Sequence, residues 1–551
     1  QQRRIGLRTL ELRRDKDASG QGFAFAINGV PIFAKGANMI PFDAFPARAT
    51  LAQQRRVLAS ARDANMNMIR LWGGGYYESD AFYDLADEFG LMLWQDFMFG
   101  GGVVPAYDPA FRASAIAEAR DNVRRLRRHP SVVLWNGNNE EETAWWDWGY
   151  SKSLTLADSA FAKNVWDGYV QLFGHDLRDV VAQEGDGVPY WSSSPSNDLG
   201  EGGGGDDFDN GDTHYWHVWG NPALPPVAYL DATPRFMSEF GLQSWPSLRT
   251  IDTFAQAKEQ GIDTPVIRAH QKFLAGAGNE RLMLYVEREY GTPRDFADFA
   301  YLSQVMQAEG IELAALHHRA SRPRTMGSLY WQLNDVWPGA SWSSIDYYGR
   351  WKALQFHARR FFAPLAIAAL RKERTTQVSL INDRTTSVAA AWHLRVLDFD
   401  GKLLREERKE TTLAPLSAAQ VGAFTDADLL RGADPRRTLA VFELSADGQV
   451  VSRSEVYFDA AKNLAWRDPE LKAQLRRDGD GYVLTLRAQH FARAVWIDFG
   501  ALDAELSDNA LSVLPGEAVT LHVSSAAGLA PLQQALGLRS LATPRLTVTS
   551  H

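Results

Sequence analysis

Cysteine is missing from all 551 residues. That excludes disulfide bridges, thiolate metal sites and a cysteine nucleophile. It leaves the compartment open, because proteins on either side of a bacterial inner membrane can lack the residue. Long apolar runs are missing too. No stretch approaches the roughly 18 consecutive apolar residues of a membrane-spanning helix. There is no excess of positive charge: 58 Lys and Arg face 67 Asp and Glu, a formal charge of −9. A nucleic-acid binder would carry a basic face, so neither nucleic acid nor a membrane is an expected partner. Gln1 to Arg4 are polar and basic with no apolar run behind them, so no signal peptide is legible.

What is present is ordinary globular composition, 45% apolar and 23% charged. A chain of this length predicts two to four domains, at about 100–200 residues each. Tryptophan stands out. There are 18, and 15 precede residue 360. Indole faces stack on the C–H faces of sugars, while a large buried core accounts for such a count equally well.

Residues 30–362 alternate strand-like and helix-like patterns, which predicts a parallel α/β architecture. Eight short apolar runs recur: Phe33–Ala37, Met66–Trp72, Leu91–Phe97, Val132–Trp135, Tyr190–Ser193, Thr213–Trp216, Arg235–Phe240 and Gly327–Leu333. Eight is the number a closed (β/α)8 TIM barrel needs. Thr50 to Gln53 opens a helix as a capping box. Ser79 opens another that Gly90 stops, and Asp108-Pro109 opens a third. Beyond Pro364 the texture becomes short alternating strands separated by turns such as Asp400-Gly401. This predicts two immunoglobulin-like β-sandwiches, 363–462 and 463–551. Residues 1–29 read as a remnant strand and linker from an upstream β-domain.

In a barrel, chemistry sits at the C-terminal ends of the strands. The fourth run ends in Trp135-Asn-Gly-Asn-Asn-Glu140, and the seventh in Met237-Ser-Glu239-Phe-Gly241. Two carboxylates across a barrel mouth are what retaining glycosidases use. One attacks the anomeric carbon; the other protonates the leaving oxygen and then activates water. Two unrelated surface carboxylates would fit either Glu taken alone better than they fit the pair.

Leu134 to Glu140 resembles the acid/base segment of family 2 glycoside hydrolases, and its Gly-Asn-Asn-Glu form resembles the β-mannosidases. Gly36 to Pro41, Arg70 to Gly75, Ser238 to Gln243, Trp331 to Pro338 and Leu514 to Glu517 resemble the same subgroup. The resemblance implies Glu140 as acid/base and Glu239 as nucleophile. It implies that Asn139 bonds the sugar 2-hydroxyl and that Arg70 lies near the nucleophile, holding it ionised. Trp72, Trp148 and Trp331 match aromatic walls of the sugar subsite. His214 matches a polar aromatic position near the nucleophile. Asp43 and Asp96 follow strand ends and read equally well as loop braces. The implied substrate is a mannoside oligosaccharide with a terminal non-reducing β-D-mannose, and no cofactor or metal is implied.

The family normally carries two β-domains before its barrel, one of which helps wall the sugar pocket. Their absence here leaves a separate chain as a candidate partner. A periplasmic or secreted location is the expectation, with the cytoplasm left open. Competing readings are another family 2 specificity (β-galactosidase, β-glucuronidase or exo-β-glucosaminidase) and a carbohydrate-binding relative without chemistry. His214 and His217 lack an evident third metal ligand. Glu201 to Gly205 lacks the Lys and Ser/Thr of a phosphate loop. Asp206, Asp207, Asp209 and Asp212 read as a solvated acidic loop rather than a Ca²⁺ site.

Overall fold

The computed structural model describes residues 5–199, 207–543 and 546–547. The chain folds as two compact units. One comprises Gln1–Leu242, Leu313–Trp337 and Leu416–Ala418; the other comprises Gln243–Glu312, Pro338–Pro415 and Ala419–His551.

The first unit opens with three antiparallel strands, β1 (Leu10–Arg13), β2 (Ala24–Ile27) and β3 (Val30–Ile32), in that order. The first strand therefore has its partner within the chain: Leu10 pairs with Ile27 and Arg13 with Ala24. Eight parallel strands follow: β4 (Ala34–Met39), β5 (Met68–Leu71), β6 (Met92–Asp96), β7 (Val132–Asn136), β8 (Tyr190–Trp191), β9 (Thr213–His214), β10 (Met237–Glu239) and β11 (Gly327–Tyr330). All eight fall on the apolar runs read from the sequence. Residues of β4 to β7 and β11 are buried without exception, as expected where both sheet faces are covered.

The sheet curls in the order β8-β7-β6-β5-β4-β11-β10-β9. Between β8 and β9 no strand ladder forms among the described residues; each is two residues long. Side chains carry that seam instead. The Asp212 carboxylate accepts Trp191 Nε1–H at 2.8 Å, Ser194 Oγ–H at 2.6 Å and Ser196 N–H at 3.1 Å. The base of the barrel is filled with rings. Phe23 and Phe25, flanking the start of β2, pack among Trp94, Trp191 and Phe236, with Ala34, Met68 and Leu329 in the same cluster.

Helices α1 (Leu51–Asp63), α2 (Asp80–Phe89) and α3 (Pro109–Leu126) start where the capping residues place them. Thr50 accepts from Gln53 N–H and Asp108 from Ala110 N–H. Gly90 ends α2 in the left-handed region at φ +69°, which costs a residue without Cβ nothing.

Two sandwiches follow in the chain. The first stacks Leu365–Lys372, Thr375–Asn382 and Ser417–Thr425 on a four-stranded sheet, Leu403–Leu413, Val388–Asp398, Thr438–Ala446 and Gln449–Tyr457. Trp392, Leu394, Val378 and Phe442 lie in its core. The second is built on Gly481–Arg487, Ala492–Asp498 and Ala518–Ser524, with Leu484, Val495 and Leu521 buried between its sheets. Strand Leu403–Leu413 has no apolar alternation, since Arg405 to Glu410 is all charged, so its sequence hid it. It is an edge strand, where charge protects the unpaired backbone. Among the described residues no helix is long and apolar enough to cross a membrane.

Candidate active site

The C-terminal ends of the strands deliver the polar groups: Asn38 from β4, Arg70 from β5, Asp96 from β6, His214 from β9 and Glu239 from β10. The chain after β7 brings Asn139 and Glu140. Gly137 is needed in that passage, because a Cβ there would lie 2.1 Å from Ser192 O. Main-chain bonds then pin the loop to the segment after β8. Ser194 N–H donates to Asn138 O at 3.0 Å, and Glu140 N–H donates to Ser194 O at 2.9 Å. Glu140 sits in the left-handed region at φ +59°, a conformation that non-glycine residues hold only when the surroundings fix it.

Arg70 is the hub of the site. Its side chain is fully buried, yet its guanidinium is saturated. Nη1–H donates to Glu239 Oε2 and to Asn38 Oδ1, both at 2.9 Å. Nη2–H donates to Asp96 Oδ2 at 2.8 Å and to Asn139 Oδ1 at 2.7 Å. Asp96 also accepts from Trp94 Nε1–H, Asn136 Nδ2–H and Gly73 N–H. Burial raises the Asp96 pKa, while Arg70 and these other donors pull it back down. Burial disfavours the Arg70 charge, but Asp96 and Glu239 outweigh it and raise its pKa.

Glu140 and Glu239 meet across His214. His214 Nδ1 lies 2.9 Å from Glu140 Oε1 and 3.6 Å from Glu239 Oε2. These three groups offer atoms all within 4.8 Å of one another. Burial pushes Glu140 up to about 7, against the opposing pull of Arg70 and the Asn139 amide. Burial also raises Glu239, and the neighbouring Glu140 adds to it, while His214 and Arg70 work the other way. The sequence led us to expect Arg70 to prevail at Glu239. It does not, because the carboxylate is lifted out of water along with its partner.

Trp72, just past β5, and Trp331, just past β11, meet edge to face with centroids 5.1 Å apart. Both are half-buried. Trp148 is 49% exposed. Its ring lies over Gly101, 3.7 Å from where a Cβ would stand. Gly101 N–H in turn donates to Asn139 O, so this ring sits on the rim beside the Glu140 loop.

Asp43 is buried and accepts from Phe45 N–H, bracing the first loop. The acidic loop needs correction. Glu201 to Gly205 and Asp206 lie outside the described residues. Asp207 caps Asp209 and Asn210 N–H, and Asp209 pairs with Arg324. Asp212, however, is fully buried; it is a seam residue and not a solvated one. His217 faces Asn221 O at 3.3 Å. Sequence reading passed over Asn38 and Ser194. Asn38 had a signal, its place inside the Gly36 to Pro41 string at a strand end; Ser194 had none.

Comparison with known proteins decides the family. Residues 374–463 match the mannosidase Ig/CBM-like domain and residues 466–544 the Ig-fold domain of mannosidases. A β-mannosidase from Bos taurus is 33% identical, over 92% of this chain and 60% of its own length. A β-mannosidase B from Thermothelomyces thermophilus is 32% identical, over 95% and 64%. The crystal structure of a β-D-mannosidase from Dictyoglomus thermophilum superposes with a TM-score of 0.88 at 30% identity, covering 97% of this chain and 63% of that one. This chain belongs to the β-mannosidase group of family 2 glycoside hydrolases. It spans about three fifths of the length of the curated relatives it matches. An exo-chitosanase from Amycolatopsis orientalis, 19% identical with a TM-score of 0.73 over 99% of this chain and 67% of that one, shares the fold.

Proposed function

We propose that this chain carries the catalytic site of a retaining exo-β-mannosidase. The observation behind the reading is the short span between Glu140 and Glu239, each of which offers a carboxylate oxygen within 4.8 Å of one on the other. Retaining enzymes set their carboxyl groups about 5–5.5 Å apart, whereas inverting ones leave about 6.5–9.5 Å for a water. Glu239 Oε2 is held by Arg70, which leaves Oε1 to attack the anomeric carbon. Glu140 Oε1 is held by His214, which leaves Oε2 towards the glycosidic oxygen. A buried acid with a pKa of about 7 is still protonated in weakly acidic solution and can donate to the leaving group. Having lost that proton, it takes one from the water that releases the sugar. Asn139 Nδ2 donates one hydrogen to Glu140 Oε2 at 3.3 Å and keeps a second to offer the sugar 2-hydroxyl.

The mannose reading draws on the Gly-Asn-Asn-Glu string and on what the relatives hydrolyse. A panel of nitrophenyl glycosides tests it: the β-mannoside should turn over fastest, and faster cleavage of the β-galactoside, β-glucuronide or β-glucosaminide would replace it. NMR of the product before mutarotation tests the mechanism. β-Mannose should appear first; release of α-mannose would refute a double displacement.

A further inference from the structure

Behind the two carboxyl groups lies a second polar chain that a double displacement does not by itself require. His214 Nε2 is 3.0 Å from Ser194 Oγ, and Ser194 Oγ–H donates to Asp212 Oδ2 at 2.6 Å. Asp212 is fully buried. It also accepts Ser238 Oγ–H at 2.6 Å, Trp191 Nε1–H and Ser196 N–H. Four donors fill the lone-pair positions of its two oxygens. The single hydroxyl proton of Ser194 is then committed to Asp212. Towards His214, Ser194 Oγ can only accept, so Nε2 must carry a hydrogen.

A second group near Nε2 agrees. Arg70 Nη1 lies 3.4 Å away, but its two hydrogens are directed at Glu239 and Asn38. It has none left to donate to the ring. With the ring hydrogen placed on Nε2, the Nδ1 lone pair faces Glu140 Oε1. One proton lies on that line, whether nitrogen or oxygen holds it.

We propose that Asp212 and Ser194 are positioning residues that lock His214 with its hydrogen on Nε2, so that Nδ1 shares a proton with the acid/base Glu140. The lock would keep Glu140 charged with its proton when a substrate arrives. The opposite tautomer, with hydrogen on Nδ1, would donate to an ionised Glu140 and drain the acid. Charged and titratable groups that bear on this ring include Glu140, Glu239, Arg70 and, through Ser194, Asp212. The kinetic half of the proposal rests on the retaining-glycosidase reading above; the tautomer does not.

The test has two arms. Protein labelled with ¹⁵N-histidine gives two-bond ¹H–¹⁵N correlations that distinguish the tautomers, and His214 is assigned among the 12 histidines by its loss in His214→Gln. The unaltered protein should show hydrogen on Nε2. Hydrogen on Nδ1 alone would overturn the proposal without any variant. Ser194→Ala removes the acceptor, and Asp212→Asn lets the amide donate to Ser194 so that Ser194 donates to the ring. Both should shift the population towards Nδ1–H. The second arm is the pH profile of kcat/KM on an aryl β-mannoside. Stabilising ionised Glu140 lowers its pKa, so the basic limb should move to lower pH by about one unit, the scale of one hydrogen bond to a charged group. Loss at the limb should be greatest for poor leaving groups. Variants that fold, lose rate evenly at all pH values and keep the Nε2 tautomer would reduce these residues to structural ones. If no β-mannoside is turned over while the Nε2 tautomer holds, the functional reading fails and the lock stands.

Discussion

The base and the mouth of the barrel are equally buried and built of opposite materials. At the base, Phe23, Phe25 and Phe236 close on one another. At the mouth, Arg70, Asp96 and Glu239 show side-chain exposures of 0%, 0% and 6%. Rings need only be packed; buried charges must each be answered by a partner, or they cost several kcal/mol. Two residues tie the ends together. The rings of Trp94 and Trp191 belong to the base cluster, while their N–H groups reach Asp96 and Asp212 at the mouth. The difference teaches that the base supplies stability and the mouth spends some of it on chemistry.

Substitutions should separate the two ends, beginning with the largest effect. Glu239→Ala should abolish turnover on every β-mannoside while the melting temperature holds, since Arg70 keeps Asp96. Added azide should restore turnover and yield the inverted α-mannosyl azide, seen by NMR. Arg70→Met strikes stability and chemistry together. It strands Asp96 in the interior, at about 3–5 kcal/mol by denaturant unfolding, and activity should fall even in the fraction that folds. An Arg70 variant of native stability would break the view that the mouth is a charge network.

Glu140→Ala should cost roughly 10²–10⁴-fold on substrates with poor leaving groups. Dinitrophenyl mannosides, which need little proton donation, should still form the glycosyl-enzyme, and azide should release it with retained configuration. In the unaltered protein the basic limb of kcat/KM should fall near pH 7, where Glu140 loses its proton, and the acid limb should lie above the ordinary glutamate range, since Glu239 is raised too. The limbs belong to the coupled pair. A basic limb well above pH 8 would contradict the assignment of Glu140.

Trp72→Ala and Trp331→Ala should raise KM about tenfold with kcat less affected, consistent with lost stacking worth about 1–1.5 kcal/mol. Equal loss in thermal stability would mark them as core residues. Phe23→Ala should have the smallest kinetic effect of all. It should cost about 3–5 kcal/mol of stability and leave kcat/KM per folded molecule unchanged. A large kinetic loss would dissolve the division between the ends.

Legibility followed burial on both sides of a strand. The eight barrel strands showed in the sequence because parallel strands covered on both faces are continuous apolar runs. Leu403–Leu413 did not show, because an exposed edge strand needs no apolar alternation. Glu140 and Glu239 were readable as carboxylates at strand ends. Asp212 was misread because it shares a stretch with Asp207 and Asp209 and differs from them only in burial. The aromatic excess was real but ambiguous: Trp94 and Trp191 serve the core, while Trp72 and Trp331 are half-buried and meet each other just past β5 and β11.

By itself, then, the sequence determined which segments become barrel strands, where the first helices begin, and which two carboxyl groups stand at strand ends. Those depend on apolar periodicity, capping and chain position, all local. Only the tertiary structure decided that Arg70 is shared by both sides of the mouth, that Glu239 is raised despite that cation, and that a serine and an aspartate behind His214 govern its proton. These depend on desolvation and on hydrogen-bond counts among residues from seven strands or their following loops. Both are set by what surrounds a group in space and leave no mark on its neighbours in the chain.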